Sequence, residues 1–275
     1  MKKTIGFLIL FISLVFLGSC IIAMFDAPGY LSWSHRYDEF FRSFPLEEGG
    51  SLALRNRAGS IEISGWDRQE CEVYAEKEIP DFADGRLWIF QQGKFMPEIE
   101  IDRFENFIRI ETVPAPAEDA ENVVDYYIRV PESVNLGGIV NRRGDVFISD
   151  LYGKVRAETR EGKITIENFS GSLQASVDQG EILAHLYDLR EEDEIILSVQ
   201  SGFIELFLEP GVNANLEVFA PKGKIFSAFE MGEFSAEERI SLQLGEGGAW
   251  ISISVSEGDV QIGKIDQSES TVFLK

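Results

Sequence analysis

The stretch RRGDVFISDLYGKVRAETREGKITIENFSGSLQASVDQGEILAHL, residues 142–186, repeats one phrase: a glycine, one further residue, and a strand with apolar side chains at alternate places. Gly144, Gly162 and Gly180 open these copies at intervals of 18 residues. The phrase returns as QSGFIEL, PKGKIFS and SEGDVQI, whose Gly202, Gly223 and Gly258 follow at steps of 22, 21 and 35 residues, and RAGSIEI at Gly59 is an earlier relative. One copy offers only a few inward side chains, such as Val146 with Ile148 or Val155 with Ala157. Such a unit cannot bury a core alone, so the repeat predicts stacking on its neighbours. A glycine before each strand suits a tight corner with positive φ, where a Cβ would clash.

Working outward, SLALRNRAGSIEISGWDRQECEVYAEKE alternates Leu52/Leu54, Ile61/Ile63 and Cys71/Val73/Ala75 with polar residues, the period of half-buried strands. Residues 78–123 are less regular, with RLWIFQQ and EIEIDRFENFIRIETV reading as strands of a hairpin and PAPAEDAE as a Pro-rich acidic loop. The insertion before Gly258, around MGEFSAEER, reads as a helical turn. The predicted fold is all-β: a short β-solenoid or β-helix-like stack of strand-Gly-strand units over 46–275, preceded by an N-terminal membrane-targeting helix. An antiparallel β-roll is the alternative. The aromatic-rich YLSWSHRYDEFFRSFP lacks clean alternation, so 26–45 reads as a linker and cap whose Phe40, Phe41 and Phe44 cover the open end of the core.

These features, with Gly65-Trp66-Asp67 and the strand ending Val130-Pro131, resemble the bacterial "putative adhesin" family, a β-strand-repeat domain of unknown function. The resemblance spans about residues 46–265. It implies an exported, often membrane-attached, β-solenoid-like domain and carries over no catalytic residues. Lys163, Phe203 and Lys224 stand where tidier members place an acid after the glycine, which weakens any idea of a repeated ligand ladder.

Residues 1–25 supply the address. Lys2 and Lys3 precede an uncharged run from Ile5 to Phe25, the order of an export segment. Leu17-Gly18-Ser19-Cys20 resembles a lipobox, with Cys20 the candidate lipidation site. The run is also long enough for an uncleaved signal anchor. Both readings place the rest of the chain outside the cytoplasmic membrane of a bacterial envelope, attached to that envelope through a lipid or an anchor.

Charge and composition narrow the chemistry. The formal net charge of -22 opposes a nucleic-acid partner. Two Cys and two His leave no Cys/His metal cage and no disulfide framework. Cys71 alternates with Val73 and Ala75 and reads as a small buried hydrophobe. Arg143-Gly144-Asp145 spells an integrin-binding tripeptide, but the same slot recurs as Glu-Gly-Lys and Gln-Gly-Glu, so a corner explains it. Asp145 and Asp259 hold the acid place used in calcium-binding rolls, yet no tandem nonapeptide occurs. His185 lies on a strand and His35 in the linker, with no partner pattern for catalysis. No cofactor, metal or catalytic residue is expected. The leading function is a non-enzymatic, membrane-tethered protein presenting an acidic surface to an envelope or extracellular protein or glycan. An accessory sensor of envelope stress and a polysaccharide-active β-helix enzyme are the alternatives.

Overall fold

The computed structural model describes residues 37–78, 96–116, 123–229, 233–234 and 239–265. Residues 1–36, with the export segment, Cys20 and His35, lie outside them, as does the expected N-terminal helix. The compact unit begins at Tyr37. Among the described residues every regular element is a strand, and these strands join one 16-stranded sheet that folds over on itself.

The long strand β9 (Val146–Leu186) shows how the repeat works. It runs through several corners, and each glycine of the repeat stands directly over its counterpart. A Cβ on Gly180 would collide with the carbonyl oxygen of Gly162, and one on Gly162 with that of Gly144. Gly180 also has φ +142°, a region that side chains with a Cβ rarely adopt. The same approach extends the column from Gly144 to Gly59 at one end, and from Gly180 through Gly202 to Gly258 and Gly223 at the other. Of these glycines Gly223 alone departs from the expected conformation, since its φ is not positive.

A second column of corners lies across the coil. Asp150, Asn168 and Asp188 take φ of 58°, 47° and 47°, the left-handed conformation that Asp and Asn tolerate best among non-glycine residues. Each precedes a large apolar residue, Leu151, Phe169 or Leu189, that turns into the core or packs against it. Asn168 Nδ2 donates to Asp150 Oδ1 at 2.7 Å, linking one corner to the next. These three coils therefore turn on glycine at one corner and on Asp or Asn at another.

Spatial order departs from chain order at both ends. β2 (Ser51–Asn56) and β3 (Ile61–Trp66) lie between β6 (Phe107–Val113) with β7 (Val124–Pro131) on one side and β8 (Asn135–Arg143) with the start of β9 on the other. At the far end β10 (Glu194–Leu208) is not followed in space by β11 (Ala214–Phe219) and β12 (Ile225–Ser227). Instead β15 (Ala249–Glu257) and β16 (Val260–Lys264) return and slide between them, parallel to both neighbours. The 35-residue step before Gly258 is this detour. Part of it, expected as a helical turn, is extended: β13 (Glu233–Phe234) pairs with β12 because that edge offers free backbone groups.

Antiparallel strands close both ends. β4 (Glu70–Glu78) lies on β7, β5 (Glu98–Phe104) forms a hairpin with β6 inside EIEIDRFENFIRIETV, while RLWIFQQ, its expected partner, lies outside the described residues, and β14 (Arg239–Leu244) covers β11. β1 (Tyr37–Pro45) then pairs with β4 along its whole length, so this part of the expected linker is a strand. Its alternation is masked because Arg42 shares a side with Phe40 and Phe44. At the open end of the core the Arg42 guanidinium reaches over the Phe40 ring, 5.0 Å from its centroid. Phe40 and Phe44 pack against the core as expected, whereas Phe41 points out.

The core is one continuous column of aliphatic side chains from Leu46 to Ile262. Its N-terminal half also holds a polar cluster. Thr112 Oγ1 donates to Asn56 Oδ1 at 2.9 Å and meets the Tyr126 hydroxyl at 2.7 Å, and Asn56 Nδ2 donates to the Val124 carbonyl at 2.8 Å. Asn141 Nδ2 bridges the Gly59 and Gly144 carbonyls at 2.8 and 3.1 Å, so the glycine corners are tied from the inside as well.

Two outcomes test this architecture. Gly180→Ala should lower the melting temperature sharply, by an amount equivalent to about 3 kcal/mol, because strain and a backbone clash coincide. Gly138→Ala, at a strand position with open space around its Cβ, should change it little; similar melting curves for the two variants would overturn the account. Burial, reinforced by the Glu72 charge, pushes the Cys71 thiol from 9.0 up to about 12, and burial raises the Tyr126 phenol from 10.0 to about 12. Both are neutral acids when folded, so their contribution is intact below about pH 9 and is lost as pH rises toward 12. Urea midpoints should therefore fall above pH 9, and the fall should be shallower in a Cys71→Ala/Tyr126→Phe variant.

Candidate functional site

Strand alternation that sends one set of side chains inward presents the other set as straight rows across the sheet. On the face built by β1, β4, β7 and β3, one row reads Phe41, Tyr74, Tyr127 and Glu62 in exact register, and Phe147 of β9 continues it. The adjacent row reads Ser43, Glu72, Arg129 and Ser64. All of these except Phe147 and Ser43 line an open groove of about 340 Å³. Phe41 is 54% exposed and Tyr127 40%, which is high for large apolar rings on a sheet face.

The groove is held in shape by local contacts. The Tyr74 and Tyr127 rings lie 5.9 Å apart, tilted by 37°. Tyr74 donates its hydroxyl to Glu76 Oε1 at 2.7 Å. That bond, then partial burial and nearby negative charge, pushes the phenol up to about 12 and keeps it a neutral donor. Arg129 stacks over the Trp66 ring at 5.6 Å while Arg68 stacks on it at 4.9 Å, and the indole N–H donates to the Glu70 carbonyl at 2.9 Å. Carboxylates at Glu62 and Glu72 and the Arg129 guanidinium thus flank an aromatic floor. Such a floor accepts a flat, partly apolar ligand, and the flanking groups satisfy its hydroxyls.

The residues singled out in the sequence have other duties. The glycine column is structural. Asp145 Oδ1 accepts the backbone N–H of Lys163 at 2.9 Å, and Asp259 Oδ1 that of Lys224 at 2.8 Å. Asp125 does the same for Ser60 at 2.6 Å. An acid after the glycine therefore caps the corner of the neighbouring layer, where the turning chain leaves an N–H facing outward. His185 packs edge-on against Phe207, 4.8 Å between centroids, as a cross-strand pair. Cys71 is buried in the core. Among the described residues no group of three or more His, Cys, Asp or Glu is arranged to hold a metal.

The aromatic row was readable in principle. In ECEVYAEKE and VDYYIRVP the inward residues Val73 and Tyr126 leave Tyr74 and Tyr127 outward. That β4 would lie against β7, and β1 against β4, is set by pairing across about 45 and about 25 intervening residues of chain and is not written locally.

Comparison with known proteins now bears on the fold. The Toastrack DUF4097 family model matches residues 133–263, the part running from β8 through β16. That part of the chain is similar to the Toastrack DUF4097 family, which bears out the family resemblance read from the glycine repeats. The layers made by β2, β3, β6 and β7 continue the same stack beyond the matched region. Among solved structures, a "putative cell adhesion protein" from Clostridium sporogenes is 13% identical, with 83% of this chain and 100% of that chain covered, at a TM-score of 0.47. A "putative adhesin" from Bacteroides fragilis is 11% identical, covering 83% and 97%, at 0.31. A "putative lipid binding protein" from Parabacteroides distasonis is 9% identical with the same coverage, at 0.26. No curated protein matches the chain.

If Asp145 serves the corner and not calcium, Asp145→Ala should destabilise the stack by about 1 kcal/mol, the worth of one hydrogen bond. The loss should be the same in calcium and in EDTA. A melting temperature that rises with calcium in the wild type but not in the variant would restore the calcium reading.

Proposed function

We propose that this protein is a non-enzymatic adhesion module, held outside the cytoplasmic membrane of a bacterial envelope by its N-terminal segment, and that it binds neutral glycan chains in the aromatic groove. The observation that carries the proposal is the in-register row Phe41, Tyr74 and Tyr127 beside Glu72 and Arg129. Pyranose rings have an apolar face that stacks on such rings and equatorial hydroxyls that pair with carboxylate and guanidinium groups. A ladder of aromatic side chains across adjacent strands offers this footing along a line, as a polymer needs. The basic start and apolar run of residues 1–25 support export and tethering, through a lipid on Cys20 or through an anchor helix. An acidic exterior, with a net charge of -22, keeps the module soluble and disfavours polyanionic surfaces at long range.

A neutral-glycan array probed with the full chain should show binding, and Tyr127→Ala or Phe41→Ala should weaken it about fivefold to tenfold with the melting temperature unchanged. Cells expressing the chain should incorporate labelled palmitate at Cys20, or else retain residues 1–25. Binding that survives both aromatic truncations would remove the groove from the account.

A further inference from the structure

On the opposite face, the strand β8 carries two consecutive glycines, Gly137 and Gly138, that the fold does not require. Neither has positive φ. A Cβ on Gly138 would meet nothing within 4 Å, and one on Gly137 only the Leu52 carbonyl at 3.9 Å. Every corner glycine of the column is crowded by backbone, so this pair is of a different kind. Its effect is the absence of side chains. The ladder registers with β2 and with β9 both shift here, between Leu52 and Ala53 and between Leu136 and Ile139, and the sheet opens into a hollow of about 370 Å³.

What surrounds the hollow is unusual for a chain with 47 acids and 25 bases. Lys154 and Arg156 project beside the glycines, and among the described residues neither has a carboxylate within ion-pair distance, whereas Arg143 and Lys163 each hold a glutamate. Ser51, Asn135, Ser172 and Gln174 add neutral hydrogen-bonding groups, and the half-buried Ile196 gives an apolar edge. Asn135 is held in place, its Oδ1 accepting the Lys154 backbone N–H at 3.0 Å. Glu194 stands at the far end.

We propose that this hollow is a second, independent binding site that takes a sugar unit bearing one carboxylate, as in an acidic polysaccharide. The volume exceeds what an inorganic anion fills and lies at the low end of ligand pockets. The bare Gly137–Gly138 backbone admits a ring against the sheet, where any side chain would stand in its way. Arg156 can take a carboxylate with two parallel N–H bonds and Lys154 adds a point charge, while the serine and amide groups match ring hydroxyls. Glu194 opposes a second negative charge at the other end, which selects a singly charged sugar over a phosphate dianion. Screening confines the repulsion of the acidic surface to about 8 Å at physiological salt, so the local cationic pair decides. This site shares no residue with the aromatic groove, and its failure leaves the groove untouched.

The test is titration of the full chain with a methyl galacturonoside, which carries one carboxylate, with the matching neutral methyl galactoside and with inorganic phosphate, followed by calorimetry and by amide shifts at Gly137 and Gly138. The galacturonoside should bind and move both amides, and the other two should bind at least about tenfold more weakly. A Lys154→Gln/Arg156→Gln variant should lose about tenfold or more in affinity, and Gly137→Val, whose Cβ enters the lining of the hollow with only the Leu52 carbonyl at 3.9 Å, should abolish binding at an unchanged melting temperature. Equal affinity for phosphate, unmoved glycine amides, or undiminished binding in the double variant would each overturn the proposal. Neutral-glycan binding lost in Tyr127→Ala but kept in Gly137→Val separates the two sites.

Discussion

The whole rod depends on how closely one backbone corner can lie on the next. Layers of parallel strands repeat at about 4.8 Å, and at the first corner that spacing brings the carbonyl of one glycine into the volume a Cβ on the next would occupy. Removing the side chain at that place lets the inter-layer ladder continue around the bend. Backbone groups that would be stranded at the turn are paired instead, as in the Gly144 N–H donated to the Glu161 carbonyl at 2.8 Å. The acids after the glycines and the buried Asn56, Asn141 and Thr159 finish the pairing from outside and inside. Aliphatic burial supplies the driving force, but these corners decide that it is spent on one column.

Ends are the weakness of such a rod, because a parallel stack leaves an unpaired strand wherever it stops. The same remedy appears twice. The chain lays down an outer layer out of turn, folds an antiparallel strand over it, and fills the intervening layer with another part of the sequence. β15 and β16 complete one end in this way, and β6 and β7 flank β2 and β3 at the other. β1, with Asp38 paired to Lys77, forms a charged outer edge. Pairing between segments far apart in the chain also makes the ends cooperative with the middle, since removing the C-terminal strands would open a gap beside β10 and not merely shorten the stack.

Once the inward positions are committed to the core, chemistry is left to the outward rows, and the two faces have diverged. One carries rings in line with a carboxylate and a guanidinium. The other is broken by a glycine pair and gathers two cations that have no carboxylate within ion-pair distance among the described residues. Both are built on rigid strands, so their spacing is inherited from the ladder itself. The stack thus offers a ruled surface on which a change of outward residue alters the surface without altering the fold.

How far this was legible in sequence differs by feature. The glycine phrase, its spacing and the alternation around it determined an all-β stack and named its inward residues, because a period of two and a crowded corner are both local properties. Asp150, Asn168 and Asp188, each followed by Leu or Phe, spelled the second corner equally plainly, though glycine drew attention away from them. Order in space was another matter. Whether Gly258 lies beyond Gly223 or before it, whether Tyr37–Pro45 is a strand, and which outward side chains stand side by side all depend on pairings between distant segments. Only the tertiary structure decided these, for a strand's hydrogen bonds point sideways to whichever neighbour arrives, and nothing within the strand says which one it will be.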